Sequence, residues 1–129
     1  MTQEEKQLLL IDLCARLPYG VKLRYVEDLV IKKESHVITL NNIYLEHIIN
    51  GDADIKPYLR PLSSMTEEER TEYFLLKHRD NDRDDNIILV DEASMLIDWL
   101  NKHYFDYRGL IGKGLAIEAP DGMYNNVII

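Results

Sequence analysis

The 129 residues suffice for one domain that buries about two-thirds of the surface its unfolded chain exposes, so neither a metal nor a disulfide is needed to hold it. Hydrophobic residues at 46% and charged residues at 29% exclude a globally disordered chain. The formal net charge of −8 disfavours nonspecific contact with a phosphate backbone, and the excess acid is uneven: residues 1–60 carry eight Lys/Arg against nine Asp/Glu, and residues 61–129 carry seven against fourteen.

In chain order, Thr2 and Glu5 have the spacing of a capping box and open a helix over 3–17. Leu9, Leu10, Leu13, Cys14 and Leu17 form its apolar stripe, and Pro18-Tyr19-Gly20 ends it. Residues 21–61 read as β structure. Val21, Leu23 and Tyr25 alternate with Lys22 and Arg24, and Leu29-Val30-Ile31 and His36 to Leu40 are β-branched runs. Ile43 to Ile49 reads as further strand, with Asn41-Asn42 and Asn50-Gly51 as turns. Pro57 and Pro61 push the segment from Ile55 to Leu62 to a sheet edge or out of the sheet.

A second capping box, Thr66 with Glu69, opens a helix over 66–79. Its first turn is acidic and its last basic, as the helix dipole favours. Residues 80–86 form a charged, flexible loop. Ile87 to Val90 reads as a short strand, and Asp91 caps a third helix reaching about Tyr104. Ala93, Leu96, Ile97, Leu100 and Tyr104 lie on its inner face, with Trp99 at the edge. Residues 109–119 form a turn and a short strand, and 125–129 a tail or last strand. The pattern predicts one α+β domain over 1–129, with about three helices packed on a small, mainly antiparallel sheet.

Chemistry-bearing motifs are sparse. Asp80, Asp82 and Asp84 have the spacing of the first three ligands of an EF-hand loop. Asp85 stands where that loop needs a sharp turn, and Asp91 where it needs a bidentate Glu, so a solvated acidic loop is the better reading. None of His36, His47, His78 and His103 has the HxxxH or HExxH spacing of a metal site. Cys14 lies on the apolar stripe with nothing to activate it as a nucleophile. No nucleophile elbow, phosphate loop or dinucleotide fingerprint is present. No cofactor is expected. The segment from His103 to Arg108 is dense in aromatics. Tyr104, Phe105, Tyr107 and Arg108 are the candidate partner-binding residues if the rings point outward, and core if they point inward.

Leu8 to Lys22 (LLLIDLCARLPYGVK), Ile55 to Glu69 (IKPYLRPLSSMTEEE) and Ile97 to Tyr124 (IDWLNKHYFDYRGLIGKGLAIEAPDGMY) cover roughly half the chain. They resemble a group of small uncharacterised proteins of Bacteroides-type gut bacteria and their prophages or mobile elements. The resemblance implies a bacterial or phage-encoded origin and carries no activity or site residue. One cysteine, an acidic opening in place of a basic leader and no long apolar run set the expectation of a cytoplasmic protein without a membrane segment. The leading functional expectation is a noncatalytic protein-interaction or regulatory module of such an element, with a protein partner or a second copy of the chain and no nucleic acid. The alternatives are a small enzyme with an unfamiliar site and an acidic mimic of nucleic acid.

Overall fold

The structure, a computed structural model, describes residues 1–28, 33–51, 54–78 and 90–124; the side chains at 27, 28, 33, 34 and 90–93 fall outside that description. Both capping boxes form. The Thr2 side chain accepts from the Glu5 amide and Glu5 from the Thr2 amide, opening α1 (Gln3–Arg16); Thr66 and Glu69 do the same for α3 (Glu67–Lys77). Pro18 leads a single 3-10 turn, and Gly20, at φ +68°, redirects the chain into β1 (Lys22–Asp28). β1 pairs antiparallel with β2 (Lys33–Thr39), from Lys22 opposite Thr39 to Asp28 opposite Lys33, and with β3 (Asp54–Leu59) on its other side. β4 (Ile117–Glu118) lies parallel to β3 opposite Tyr58 and Leu59, giving the order β2-β1-β3-β4. The fold is α+β.

A fourth helix replaces the strands expected over Ile43 to Ile49. It is α2 (Asn42–Asn50), and its cause is local: the Asn41 side chain accepts from the amides of Ile43 and Tyr44, and Gly51 closes the end in the left-handed conformation at φ +70°. These caps outweigh the strand preference of the isoleucines, and Tyr44, His47 and Ile48 turn inward at helical spacing. Val90 opens α4 (Val90–Lys102), so Asp91, expected as the cap, is already helical. The acidic segment at 80–86, with Asp80, Asp82 and Asp84, lies outside the described residues, as do residues 87–89 of the strand expected over 87–90, whose last residue, Val90, is helical, the β-branched run at 29–31 and the tail at 125–129. Among the described residues no helix is long and apolar enough to cross a membrane.

The main core joins both ends of the chain: Leu9 and Leu13 of α1 meet Leu23, Ile48, Ile55, Leu59, Leu110 and Tyr124. The buried face of α1 is Leu9, Asp12, Leu13 and Arg16, and Cys14 is exposed. The stripe is therefore rotated from the expected one, because the helix carries an ion pair inward instead of a thiol. A smaller cluster gathers Met65, Leu100 and Phe105, with Tyr73, Leu96 and Trp99 packed against it. Ile97, expected on the inner face of α4, is exposed.

Candidate functional site

The segment from His103 to Arg108 is mostly interior. α4 ends in a Schellman turn: the Phe105 amide bonds the Leu100 carbonyl and the Tyr104 amide the Asn101 carbonyl. That turn needs one left-handed residue, and here it is Tyr104 at φ +64°, a conformation that costs a non-glycine side chain roughly 1–2 kcal/mol. Burial of the ring offsets the cost. Tyr104 stacks on Tyr124 at 3.9 Å between centroids, and its hydroxyl donates to the Tyr19 carbonyl. The Phe105 side chain is 0% exposed. Tyr104 and Phe105 are thus core residues and present nothing to a partner; Tyr107 and Arg108 keep partial exposure.

Tyr107 and Arg108 belong to a charge network that sequence spacing did not reveal. The Asp12 carboxylate accepts from Arg16 Nε at 2.8 Å and Nη2 at 3.1 Å, and from Arg108 Nε at 3.2 Å. Arg16 Nη2 also donates to the Phe105 carbonyl at 2.6 Å. The Tyr107 ring lies within cation–π range of both guanidinium groups, 5.3 Å from that of Arg16 and 4.8 Å from that of Arg108. Its hydroxyl accepts from Arg108 at 3.0 Å and donates to Asn101 at 2.9 Å. One carboxylate and two guanidinium groups leave this network cationic, and its bonds are directed inward.

A second network fixes the entry to α3. Arg60 grips Glu69 with two bonds of 2.8 and 2.7 Å and lies over the Phe105 ring at 4.3 Å. Burial would raise the Glu69 carboxyl, but Arg60 and the Thr66 amide outweigh it and hold it at about 2. His103 Nδ1 lies 3.4 Å from Glu69; burial pushes its pKa down against the pull of Glu69 and Glu72. His36 of β2 and His47 of α2 each lie 6.5 Å, ring to ring, from Tyr25 of β1. Among the described residues no three His, Cys, Asp or Glu side chains converge where a metal ion would sit.

Two features face outward. The first is the seam between α3 and α4. Glu69 opposes His103, and Trp99 Nε1 donates to Glu72 at 2.9 Å with the Tyr73 and Trp99 rings 6.0 Å apart, so the helices run antiparallel. One turn further along, this register sets Leu75 beside Met95. Leu75 is 62% exposed and Met95 46%, and Phe74, next to Leu75, is 60% exposed.

The second is a cleft of about 590 Å³ between α1, the end of α2, the start of β3 and the turn at Lys113-Gly114. Its apolar lining is Leu9, Ile48, Ile55 and Leu115. Lys6, Lys56 and Lys113 also line it and form no ion pair within 4 Å among the described residues. The two lining acids are engaged elsewhere: Glu5 caps α1, and Asp54 lies 3.9 Å from Arg24. The Thr2 amide and hydroxyl, with a contribution from Lys113, hold the Glu5 carboxyl below its ordinary range.

The chain matches no family model, no curated protein and no solved structure.

Proposed function

We propose that this chain is a noncatalytic protein-interaction module that presents the α3–α4 seam to a partner. The observation that carries this reading is the apolar rim of that seam, where Leu75 and Met95 are exposed beside half-buried Tyr73, Leu96 and Trp99. Large apolar side chains grouped at one surface site mark a place where another protein excludes water. The buried titratable groups support the same reading, because each serves the fold. Asp12 answers Arg16 and Arg108, Glu69 answers Arg60, and the Tyr104 and Tyr124 hydroxyls bond main-chain carbonyls. An acidic mimic would need its acids on one continuous face, whereas Arg70 and Lys77 interrupt Glu67, Glu68 and Glu72 along α3. The setting taken from the resemblance is a bacterial mobile element or prophage.

The test is site-directed photo-crosslinking in cells that naturally express the chain, with the photoreactive residue at position 75 and a control at exposed position 46. A discrete protein adduct formed from position 75 and absent from position 46 supports the reading. Equal yields from both positions, or no adduct from either, contradict it.

A further inference from the structure

We propose that the outer face of the sheet is a second, separate binding surface, which takes an acidic segment of a partner protein. The inference starts from strand register. Side chains alternate between the two faces of a strand, and residues opposite one another across a ladder share a face. Leu23, Ile55 and Leu59 pack into the core with Leu9, Leu13 and Ile48 of the helices. Lys22, Arg24 and Val26 of β1 therefore take the outer face, with Thr39, Val37 and Ser35 opposite them on β2, and with Lys56 and Asp54 opposite Arg24 and Val26 on β3. Two contacts agree with this assignment: Lys22 Nζ donates to the Thr39 hydroxyl at 2.8 Å, and Arg24 Nη2 lies 3.9 Å from Asp54. Val37 is 58% exposed and Ser35 and Thr39 are exposed, so the face meets solvent.

The charges on this face are arranged against the stability of the sheet. Arg24 and Lys56 stand directly opposite, a like-charge pair that weakens a ladder, and Lys22 is about 7 Å along the strand from Arg24. Asp54 is the one acid among the described side chains of the face, and it comes no closer to Arg24 than 3.9 Å. The Arg24 guanidinium is under-used, since its Nε finds no acceptor in the fold. Lys56 forms no ion pair within 4 Å among the described residues. Lysines at a sheet edge guard against pairing, but β1 is an interior strand, so Lys22 and Arg24 have no edge to guard. Carboxylates brought to this face relieve the repulsion and bind the exposed end of the guanidinium and the Lys56 ammonium.

An open sheet face lacks the concavity that holds a small molecule, so the fitting occupant is a polypeptide. Val26 and Val37 border the cations, so the matching segment carries apolar residues among its acids. A nucleic acid would offer phosphates to the same cations, but the rest of a chain of net charge −8 repels a long polyanion. Tyr58 is the one ring among the described residues of the face, too few for a platform of stacked bases.

The experiment uses the full chain with a fluorescent peptide that repeats Glu-Glu-Val, followed by anisotropy and by amide chemical shifts. The expected result is saturable binding that weakens with salt, with shifts at residues 22–26, 35–39 and 54–56. The Lys22→Glu/Arg24→Glu variant, with its thermal midpoint and amide dispersion retained, loses affinity about ten-fold or more. Lys56→Gln, a milder change that carries the comparison if the charge reversal unfolds the chain, loses about three-fold. The Lys6→Glu/Lys113→Glu control changes the net charge as much as the first variant and leaves affinity within about two-fold. Absence of saturable binding up to millimolar peptide overturns the proposal, as does an equal loss in the control or equal affinity for a peptide that repeats Lys-Lys-Val. A single-stranded oligonucleotide of the same length that binds more tightly than the acidic peptide overturns the assignment to a protein partner. None of these outcomes bears on Leu75 and Met95, so the seam and the sheet face fail or stand separately.

Discussion

Asp12 and Arg16, four residues apart on α1, form an ion pair 2.8 Å long in which neither side chain touches solvent. Two buried charges are costly to desolvate, and the pair is held because further bonds from Arg108 and to the Phe105 carbonyl use much of the remaining capacity. The pair ties α1 to the segment that leaves α4, whose own aromatic residues fill the interior.

Breaking that pair from one side strands a charge. Asp12→Ala is expected to destabilise the fold by about 3–5 kcal/mol, while Asp12→Leu with Arg16→Met, which removes both charges, costs less than either single change. Urea unfolding of Asp12→Ala, Arg16→Met and the double variant measures this, and additive losses would contradict it.

The Tyr124 hydroxyl stands between two strands, accepting from the Lys22 amide at 3.0 Å and donating to the Tyr58 carbonyl at 2.7 Å. It bridges β1 and β3 where their direct pairing has ended. Tyr124→Phe keeps the stacking on Tyr104 but leaves two main-chain groups without this partner, so a loss of about 1–3 kcal/mol is expected in chemical denaturation.

Stability should fall in acid through Glu69. Its pKa in the fold, about 2, lies below the ordinary value of 4.5, so the unfolded chain binds the proton more readily. The contribution is therefore fully present above about pH 4.5 and is lost as pH falls toward 2. Unfolding free energy measured across that window should show a steeper slope for the native chain than for Glu69→Gln. Equal slopes would remove Glu69 from the acid response.

α2 is the element most open to a direct test of its cause. Asn41→Ala removes the side chain that accepts from the amides of Ile43 and Tyr44, with an expected loss of about 0.5–2 kcal/mol, and Asn41→Asp or Asn41→Ser should restore most of it. Thermal unfolding followed by circular dichroism checks the series.

How much was legible in the sequence followed from how local each cause is. Thr2 with Glu5 and Thr66 with Glu69 act across three residues, and both helices begin where the spacing predicts. The alternation from Val21 to Tyr25 reports one buried face, and that strand forms. Ile43 to Ile49 misled because its β-branched residues suit a strand, while Asn41 and Gly51, readable as turns, serve as the two caps of a helix. Cys14 was placed inward because apolar spacing cannot register that Asp12 has a partner in Arg108, 96 residues away. Tyr104 and Phe105 fit an interface composition yet are interior, since the Schellman turn at the end of α4 decides where they point. The cleft had no sequence signal, because its walls come from residues 1–9, 48–56 and 113–115, which only the fold brings together.

The central claim, that the α3–α4 seam works as an interface, is tested most directly by placing charge on it. Leu75→Glu with Met95→Glu should leave the unfolding free energy within about 0.5 kcal/mol of the native value, as exposed positions do, and should abolish the adduct captured from a photoreactive residue at exposed position 98, one turn from Met95 on α4. A partner still captured in full by the charged variant, or a fold that collapses under these substitutions, would contradict it.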